Sequence, residues 1–389
     1  MGLGSHSSHI RFEPDFSPVR QFRTGVSLHG HTLHSKESLI SIYNLDNKIA
    51  PFRLALEYGA GRYRAHHGSS LELSRAWWTP PLSAYQAWAL ETRQIREHLG
   101  MESLVSLTDH DDIEGPVMLQ LREECRPMPI SVEWTVPYRG TFFHIGVHNL
   151  PAERARTIMA DLASVTAGTC TVSLRHIFEN LTMHRDTLII FNHANWDESG
   201  IGENAHLEAA RQFSAAYRPF VHAFELNGTR TWAQNRGIFD LARQFGKPLI
   251  GGGDRHGKEP NAILNLTNAA TFSEFAAEIR DGYSEILIAS QYLEPFCMRI
   301  LESLEDILGE QENHAYGWKR WSDRAFYICD DGVTRSLGEA WGDNPPAVRW
   351  FGRGLGLLWH PQFKNIFRMA FAKREQAGID LWRGLSPLL

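Results

Sequence analysis

The chain has 389 residues, 43% of them apolar, and a formal net charge of −6. That length exceeds one ordinary domain and the apolar share can build a sizeable core, while the negative balance argues against a general electrostatic nucleic-acid binder, though not against a local basic groove. The four cysteines (Cys125, Cys170, Cys297, Cys329) are widely spaced without a CxxC pair, which reads as reduced, mostly structural thiols and not a disulfide framework.

Residues 1–16 carry no apolar stretch of the secretory kind, so a cytoplasmic location is expected. No later run nears the ~20 apolar residues of a membrane helix. Residues 24–28 predict a strand, and the segment LHGHTLHSKE (28–37) continues from it. In an extended chain residues i and i+2 point the same way, so His29 and His31 would face one spot, as a metal ion requires. Residues 83–99 predict a helix, and SLVSLT (103–108) a buried strand that runs into Asp109 and His110. Two more strands, 129–133 and 141–147, flank the turn signal Tyr138-Arg139-Gly140 and bring Glu133 and His144. Helices over 152–162 and 173–183 lead to a strand at 187–192, followed by His193. Helix 205–213, strand 221–226, helix 232–245 and strand 248–253 continue the alternation, the last after the break Gly246-Lys247-Pro248 and just before Asp254 and His256. Each His, Asp or Glu thus sits at or just past the end of a short apolar run, where a barrel of βα units gathers its catalytic groups. Taken singly, each is as readily a core or surface side chain; the signal is the ordered series.

That series resembles the PHP (polymerase and histidinol phosphatase) family of metal-dependent phosphoesterases over roughly residues 24–290. The shared motifs are the HxH of His29 and His31, the TDH ending at His110, Glu133, a later isolated His, and the DxH of Asp254 and His256. Two departures are visible: the first motif ends in Lys36-Glu37, where many relatives have Asp or His, and the usual His-Pro reads His193-Ala194. The resemblance implies an α/β fold, a distorted (β/α)7 TIM-like barrel. It also implies two or three divalent metal ions. One site would use His29, His31, Glu133 and Asp254; a second His144 and His193 with Glu133 as bridge; a third Glu37, His110 and His256. Histidine with carboxylate donors suits Zn, Mn or Fe, and the lack of cysteine donors argues against a closed structural zinc site.

Two stretches exceed a compact barrel. An insertion at about 40–80, after the first strand, carries Tyr43, Tyr58, Tyr63, Trp77, Trp78, Arg53, Arg62, Arg64, His66, His67 and Arg75; it reads either as a lid over the metals or as a surface excursion. The division expected is therefore a barrel domain over 1–289 and a mainly helical appendage over 290–389. The appendage holds Trp318, Trp321, Trp341, Trp350, Trp359 and Trp382, and residues 345–389 have seven Lys/Arg against two acids. Nucleic-acid or membrane-surface contact would use such a tail; the plainer reading is that its aromatics pack on the barrel or on a second copy of the chain.

The expected function is hydrolysis of phosphate monoesters of a small metabolite or nucleotide, with His193 or His256 as acid and Asp109 either orienting an imidazole or capping a helix. Arg230, after a strand end, and Arg62 and Arg64 of the insertion are the candidate phosphate-binding residues. An exonuclease acting on short oligonucleotides, a carbon–nitrogen hydrolase and a non-catalytic metal-stabilised module are the alternatives. No P-loop and no GxSxG elbow is present, and Gly251-Gly252-Gly253 reads as a tight turn beside the metals.

Overall fold

The structure is a computed structural model that describes residues 7–13, 21–39, 50–68, 70–340 and 354. Tyr43, Trp341, Trp350, Trp359, Trp382 and the basic stretch of the tail lie outside the described residues, as do the side chains of Arg53, His66 and His67.

The elements in chain order are β1 (Ser7–Phe12), β2 (Thr24–Leu28), β3 (Glu37–Ser38), α1 (Ala50–His67), β4 (Ala76–Trp78), α2 (Ala84–Arg93), β5 (Glu102–Ser106), α3 (Glu114–Leu119), β6 (Ile130–Tyr138), β7 (Thr141–Leu150), α4 (Ala155–Thr166) and α5 (Leu174–Thr182). They continue with β8 (Leu188–Phe191), α6 (Glu203–Tyr217), β9 (Ala223–Asn227), α7 (Trp232–Phe245), β10 (Leu249–Gly252), β11 (Ile263–Thr267), α8 (Phe272–Arg280), β12 (Tyr283–Ile288), α9 (Phe296–Leu308), β13 (Ala325–Ile328), β14 (Thr334–Ser336) and α10 (Leu337–Ala340).

The α/β character holds, but the expected (β/α)7 barrel does not. Among the described residues the strands form three separate sheets, ordered β1-β12-β11-β2-β5, β10-β9-β8-β7-β6 and β14-β13-β4-β3, and none is closed. In the first, β11 runs antiparallel to both neighbours; in the second, the β6–β7 hairpin turns an otherwise parallel sheet antiparallel. The first two sheets meet through isolated bridges, Gly30 with Arg255 and His110 with Glu133. A continuous ladder is broken there for a physical reason. His29, Asp254 and Asp111 have φ of 61°, 56° and 50°, which is left-handed backbone that cannot extend a strand. The βα alternation in the sequence describes local units and carries no information on whether sheet edges close.

Local chemistry explains the helices that position the site. Thr231 and Gln234 form a reciprocal capping box at the start of α7, and Gly246, at φ 58°, ends it in left-handed backbone. Trp134, Phe178, Phe191, Phe213 and Phe224 fill the core between the second sheet and α4–α7. Each such ring contributes roughly 1.5–3 kcal/mol by leaving water.

The third sheet joins two distant parts of the sequence. β4 pairs with β3 on one side and β13 on the other. Arg75 forms an ion pair with Asp330 at 2.8 Å, Tyr63 meets Tyr327 edge to face, and Trp77 stacks on Phe326. The described part of the tail is thus the helix α9, the β13–β14 hairpin and the short helix α10, and residues 341–353 and 355–389 lie outside the described residues. Among the described residues no helix is long and apolar enough to cross a membrane.

Candidate metal centre

Left-handed backbone at the strand ends aims the donors. His29, His193 and Asp254 all have positive φ (61°, 27° and 56°), a conformation that costs about 1–3 kcal/mol per residue and persists only where the surroundings enforce it. The convergence of His29 and His31 therefore does not come from strand alternation: the chain leaves β2 at His29, and the two rings still lie 5.2 Å apart.

Three groups of donor atoms gather, each group's atoms lying within 4.8 Å of one another. The first is His29, His31, Glu133 and Asp254. Glu133 Oε2 lies 2.9 Å from His29 Nε2 and 3.2 Å from His31 Nε2, and Asp254 Oδ1 lies 3.4 Å from the latter. The second is His110, Glu133 and His144, with His193 beside it: Glu133 Oε1 is 3.1 Å from His193 Nε2 and 3.7 Å from His144 Nδ1. The third is His31, Glu37, His110 and His256, where Glu37 Oε2 is 3.1 Å from His256 Nε2 and 3.3 Å from His110 Nε2. Donors ~2.0–2.2 Å from one ion at tetrahedral angles stand about 3.3 Å apart, so this spacing fits divalent metals. The buried His31 Nε2 has no hydrogen-bond partner, which is the state of a nitrogen that a cation would satisfy. All nine sequence-derived ligand candidates lie in or against these groups.

The charges are mutually dependent. Burial pushes the Glu133 carboxyl up, but His29, His110, His144 and the hydrogen bond from His193 together hold it well below the usual carboxylate range. Burial likewise opposes ionisation of Asp254 and Glu37, and the neighbouring imidazoles hold both well below that range. On the imidazole side, burial lowers His29 and His110, yet the carboxylates raise both well above the ordinary value, whereas burial takes His144 and His31 down. Without metal the cluster thus balances its carboxylates with protons, and a divalent cation would displace them.

Glu225 is the main residue that the sequence motifs missed. Its Oε1 accepts a hydrogen bond from His29 Nδ1, and its Oε2 accepts from the His193 backbone N–H at 3.0 Å and from Asn227 Nδ2 at 3.0 Å. With Nδ1 donating to Glu225, Nε2 of His29 is left to face the metals, as a carboxylate behind a ligand histidine arranges. The signal available was a glutamate inside the apolar run VHAFEL. The glycines also have a different reason from the tight turn expected: a Cβ on Gly252 would lie 1.8 Å from Glu225 Oε1, and one on Gly253 1.7 Å from Asn261 Oδ1. Further support comes from Asn192, which donates to Glu133 Oε1 at 2.9 Å, and Thr229, which donates to Asp254 Oδ2 at 2.9 Å.

Asp109 neither orients an imidazole nor caps α3. Its carboxylate accepts from the Thr32 N–H and hydroxyl at 2.6 and 2.8 Å, tying the second motif to the loop of the first, and burial pushes its pKa up to about 7. Arg255 turns away from the donors into a buried ion pair with Glu91 at 2.8 Å. Arg230 does reach the site: its guanidinium lies 4.1 Å over the Trp196 ring and 3.5 Å from Asp254, and its buried Nε has no partner. Arg62 and Arg64 flank the buried Tyr63 on α1, half-buried and exposed respectively, and line neither cleft beside the donors.

Two clefts are each lined by several donors. One of about 150 Å³ runs between Glu37, His110, His144, His193 and His256 and the helix α9. The other, of about 280 Å³, is lined by Glu37, His110 and His144 with Lys36, Asp111, Asp112, Phe142 and Glu198.

No family model and no curated protein matches the chain. Among solved structures it is similar to PsfC from Pseudomonas syringae PB-5123, at 14% identity, covering 70% of this chain and 94% of that one with a TM-score of 0.37. It is similar to an amidohydrolase from Chromobacterium violaceum with bound sulfate and no metal, at 13% identity, covering 65% and 96% with a TM-score of 0.34. A candidate metal-dependent phosphoesterase from Bifidobacterium adolescentis ATCC 15703 gives 13% identity, 66% and 95% coverage and a TM-score of 0.33.

Proposed function

We propose that this chain is a PHP-type metal-dependent phosphoesterase that hydrolyses phosphate monoesters of a small metabolite or nucleotide. The observation that carries this reading is the buried Glu133, which presents one oxygen to each of two imidazole groups behind His110, His144 and His193, and these line a cleft that also holds Arg230. Two or three divalent ions (Zn, Mn or Fe) held by His29, His31, Glu37, His110, Glu133, His144, His193, Asp254 and His256 would lower the pKa of a bound water and screen the phosphoryl charge.

The protein's own groups do the rest. Arg230, stacked on Trp196 and unpartnered at Nε, takes a phosphate oxygen through its planar fork. His256 donates from Nδ1 to the Asp254 carbonyl at 2.9 Å, so its Nε2 faces Glu37 and the cleft. His193 Nε2 faces the cleft as well. With two ions in place of three, His193 or His256 falls outside the ligand set and supplies the proton to the leaving oxygen. Around the donors, the second cleft sets Asp111, Asp112 and Glu198 beside Lys36, which disfavours a polyanionic strand and favours a small ester over an oligonucleotide.

The test is phosphate release from a panel of phosphorylated metabolites by protein reconstituted with Mn or Zn. Turnover should require metal, and Arg230→Ala should raise KM about tenfold or more. A protein that binds its metals and releases phosphate from no member of the panel overturns the proposal.

A further inference from the structure

The cleft above the donors has two unlike faces. Its floor is imidazole and carboxylate; its roof is apolar. Phe296, Ile300, Leu304 and Ile307 recur at helical spacing along α9 and so share the face turned to the cleft, and Trp78 and Trp196 complete the wall. The Trp78 ring lies 5.9 Å from that of His256, so the apolar wall begins directly beside the donors.

This roof is pinned in place. Arg299 of α9 donates to the Gly228 carbonyl at 2.6 Å and to the Arg230 carbonyl at 3.3 Å, which ties the helix to the loop bearing the phosphate-binding arginine. At the other end the fully buried Arg324 donates to the Ile307 carbonyl and, at 2.8 Å, to the Thr79 carbonyl. The Lys258 N–H donates to Asp306 at 2.7 Å. The space is therefore formed before substrate arrives, at a fixed distance from the metals.

We infer that the substrate's alcohol portion carries an aromatic ring or a comparable flat apolar group, held between α9 and Trp78 while the phosphate sits on the donors and Arg230. This rests on the phosphoesterase reading above and narrows it. Leu304, Ile307 and Trp78 are already buried, whereas Phe296, Ile300 and Trp196 are part-exposed, and a phosphate on a short polar alcohol would leave those three in water. A ring would cover them, and covering a ring is worth on the order of tenfold or more in affinity.

The experiment compares 2-phenylethyl phosphate with ethyl phosphate, whose leaving alkoxides are similarly basic, so that the ratio of kcat/KM reports the roof and not the leaving group. A parallel calorimetric titration uses the non-hydrolysable 2-phenylethylphosphonate and ethylphosphonate on metal-loaded and on chelated protein. The phenylethyl compounds should be favoured at least about tenfold in both measurements. Ile300→Asp, which puts a charge on the roof, and Ser303→Trp, which fills the space beneath it, should each bring both ratios close to one. Equal kcat/KM and equal Kd for the two compounds in the wild-type protein would overturn the inference, whatever the turnover. Tighter binding of the phenylethylphosphonate without release of phosphate from any ester would instead overturn the phosphoesterase reading and leave the aromatic subsite standing. Ratios that survive both substitutions would place the ring elsewhere and overturn the inference.

Discussion

The two large sheets and the third sheet contribute to the donor cluster in different ways. His29, His31, His110, Glu133, His144, His193, Asp254 and His256 all lie on or beyond strands of the first two sheets, whereas Glu37 alone lies on the third, in β3. In the large sheets most donors need only a strand to end in the right place. Glu37 is fixed through its pairing partner Trp78, and Trp78 in turn is fixed by Ala325 of the tail. Its position depends on closing a loop across most of the chain, which is costly in entropy. Two donor groups thus belong to the body of the protein, and the third is conditional on a sheet that the insertion and the tail build together.

The largest effect should come from the body. Glu133→Gln removes the charge shared by two donor groups, so metal content should fall and turnover should drop about a thousandfold or more while the chain stays folded. Elemental analysis beside kcat checks this; near-normal turnover would place the bridge on another residue. A smaller loss should follow from the third sheet. Glu37→Ala should remove about one ion per chain and lower kcat/KM roughly 10–100-fold. Phe326→Pro breaks β13 without touching a donor and should give the same metal loss, since proline cannot serve a central strand. If Phe326→Pro keeps its full metal content, Glu37 does not depend on the sheet and the contrast drawn above is wrong.

Legibility in the sequence followed the same divide. The strand before His29, the hairpin around Arg139-Gly140, and α7 with its Thr231 and Gly246 ends are local signals, and each was readable from a short window. Sheet closure was not, because the interruptions at His29, Asp111 and Asp254 arise from tertiary constraint on single residues, where propensity is silent. Nor was the third sheet, whose strands β3 and β14 are two and three residues long and lack any periodicity of their own. Trp77, Trp78 and Arg75 fitted a lid or a surface excursion equally; the structure uses them as a wall packed on the tail. Glu225 was visible as a strand-end carboxylate, but only the fold shows that it stands behind His29.

Glu225 refines the contrast within the body itself. Gln at this position keeps the shape and loses the charge that fixes His29 Nδ1–H. The Glu225→Gln variant should therefore bind its metals at saturation but about tenfold more weakly, with kcat changed less than in Glu37→Ala. Competition with a chelator of known affinity measures it. Unchanged affinity would reduce Glu225 to a packing role.

The smallest effect on activity, and a test of the body alone, lies at His222. It precedes β9, and its Nδ1 accepts the Ile189 N–H at 2.9 Å, joining the segment ahead of β9 to the neighbouring strand. Burial, with Arg280 and Lys247 adding, lowers its pKa to about 3. The folded value thus lies below the unfolded one of about 6.5, so the unfolded chain binds the proton first. The stabilisation from neutral His222 is complete above about pH 6.5, declines as pH falls toward 3, and is constant below that. Between pH 7 and pH 5 the loss is about 2 kcal/mol. Asn offers Oδ1 to the same N–H and does not titrate, so the stability of His222→Asn relative to wild type should rise by that amount over this interval. Urea unfolding of chelated protein at the two pH values checks it, with donor protonation common to both chains. Activity at pH 7 should change little, because His222 lines neither cleft beside the donors. A pH-independent difference between the two proteins would mean that His222 is protonated within the fold, and that the acid sensitivity of the large sheets comes from the donor cluster instead.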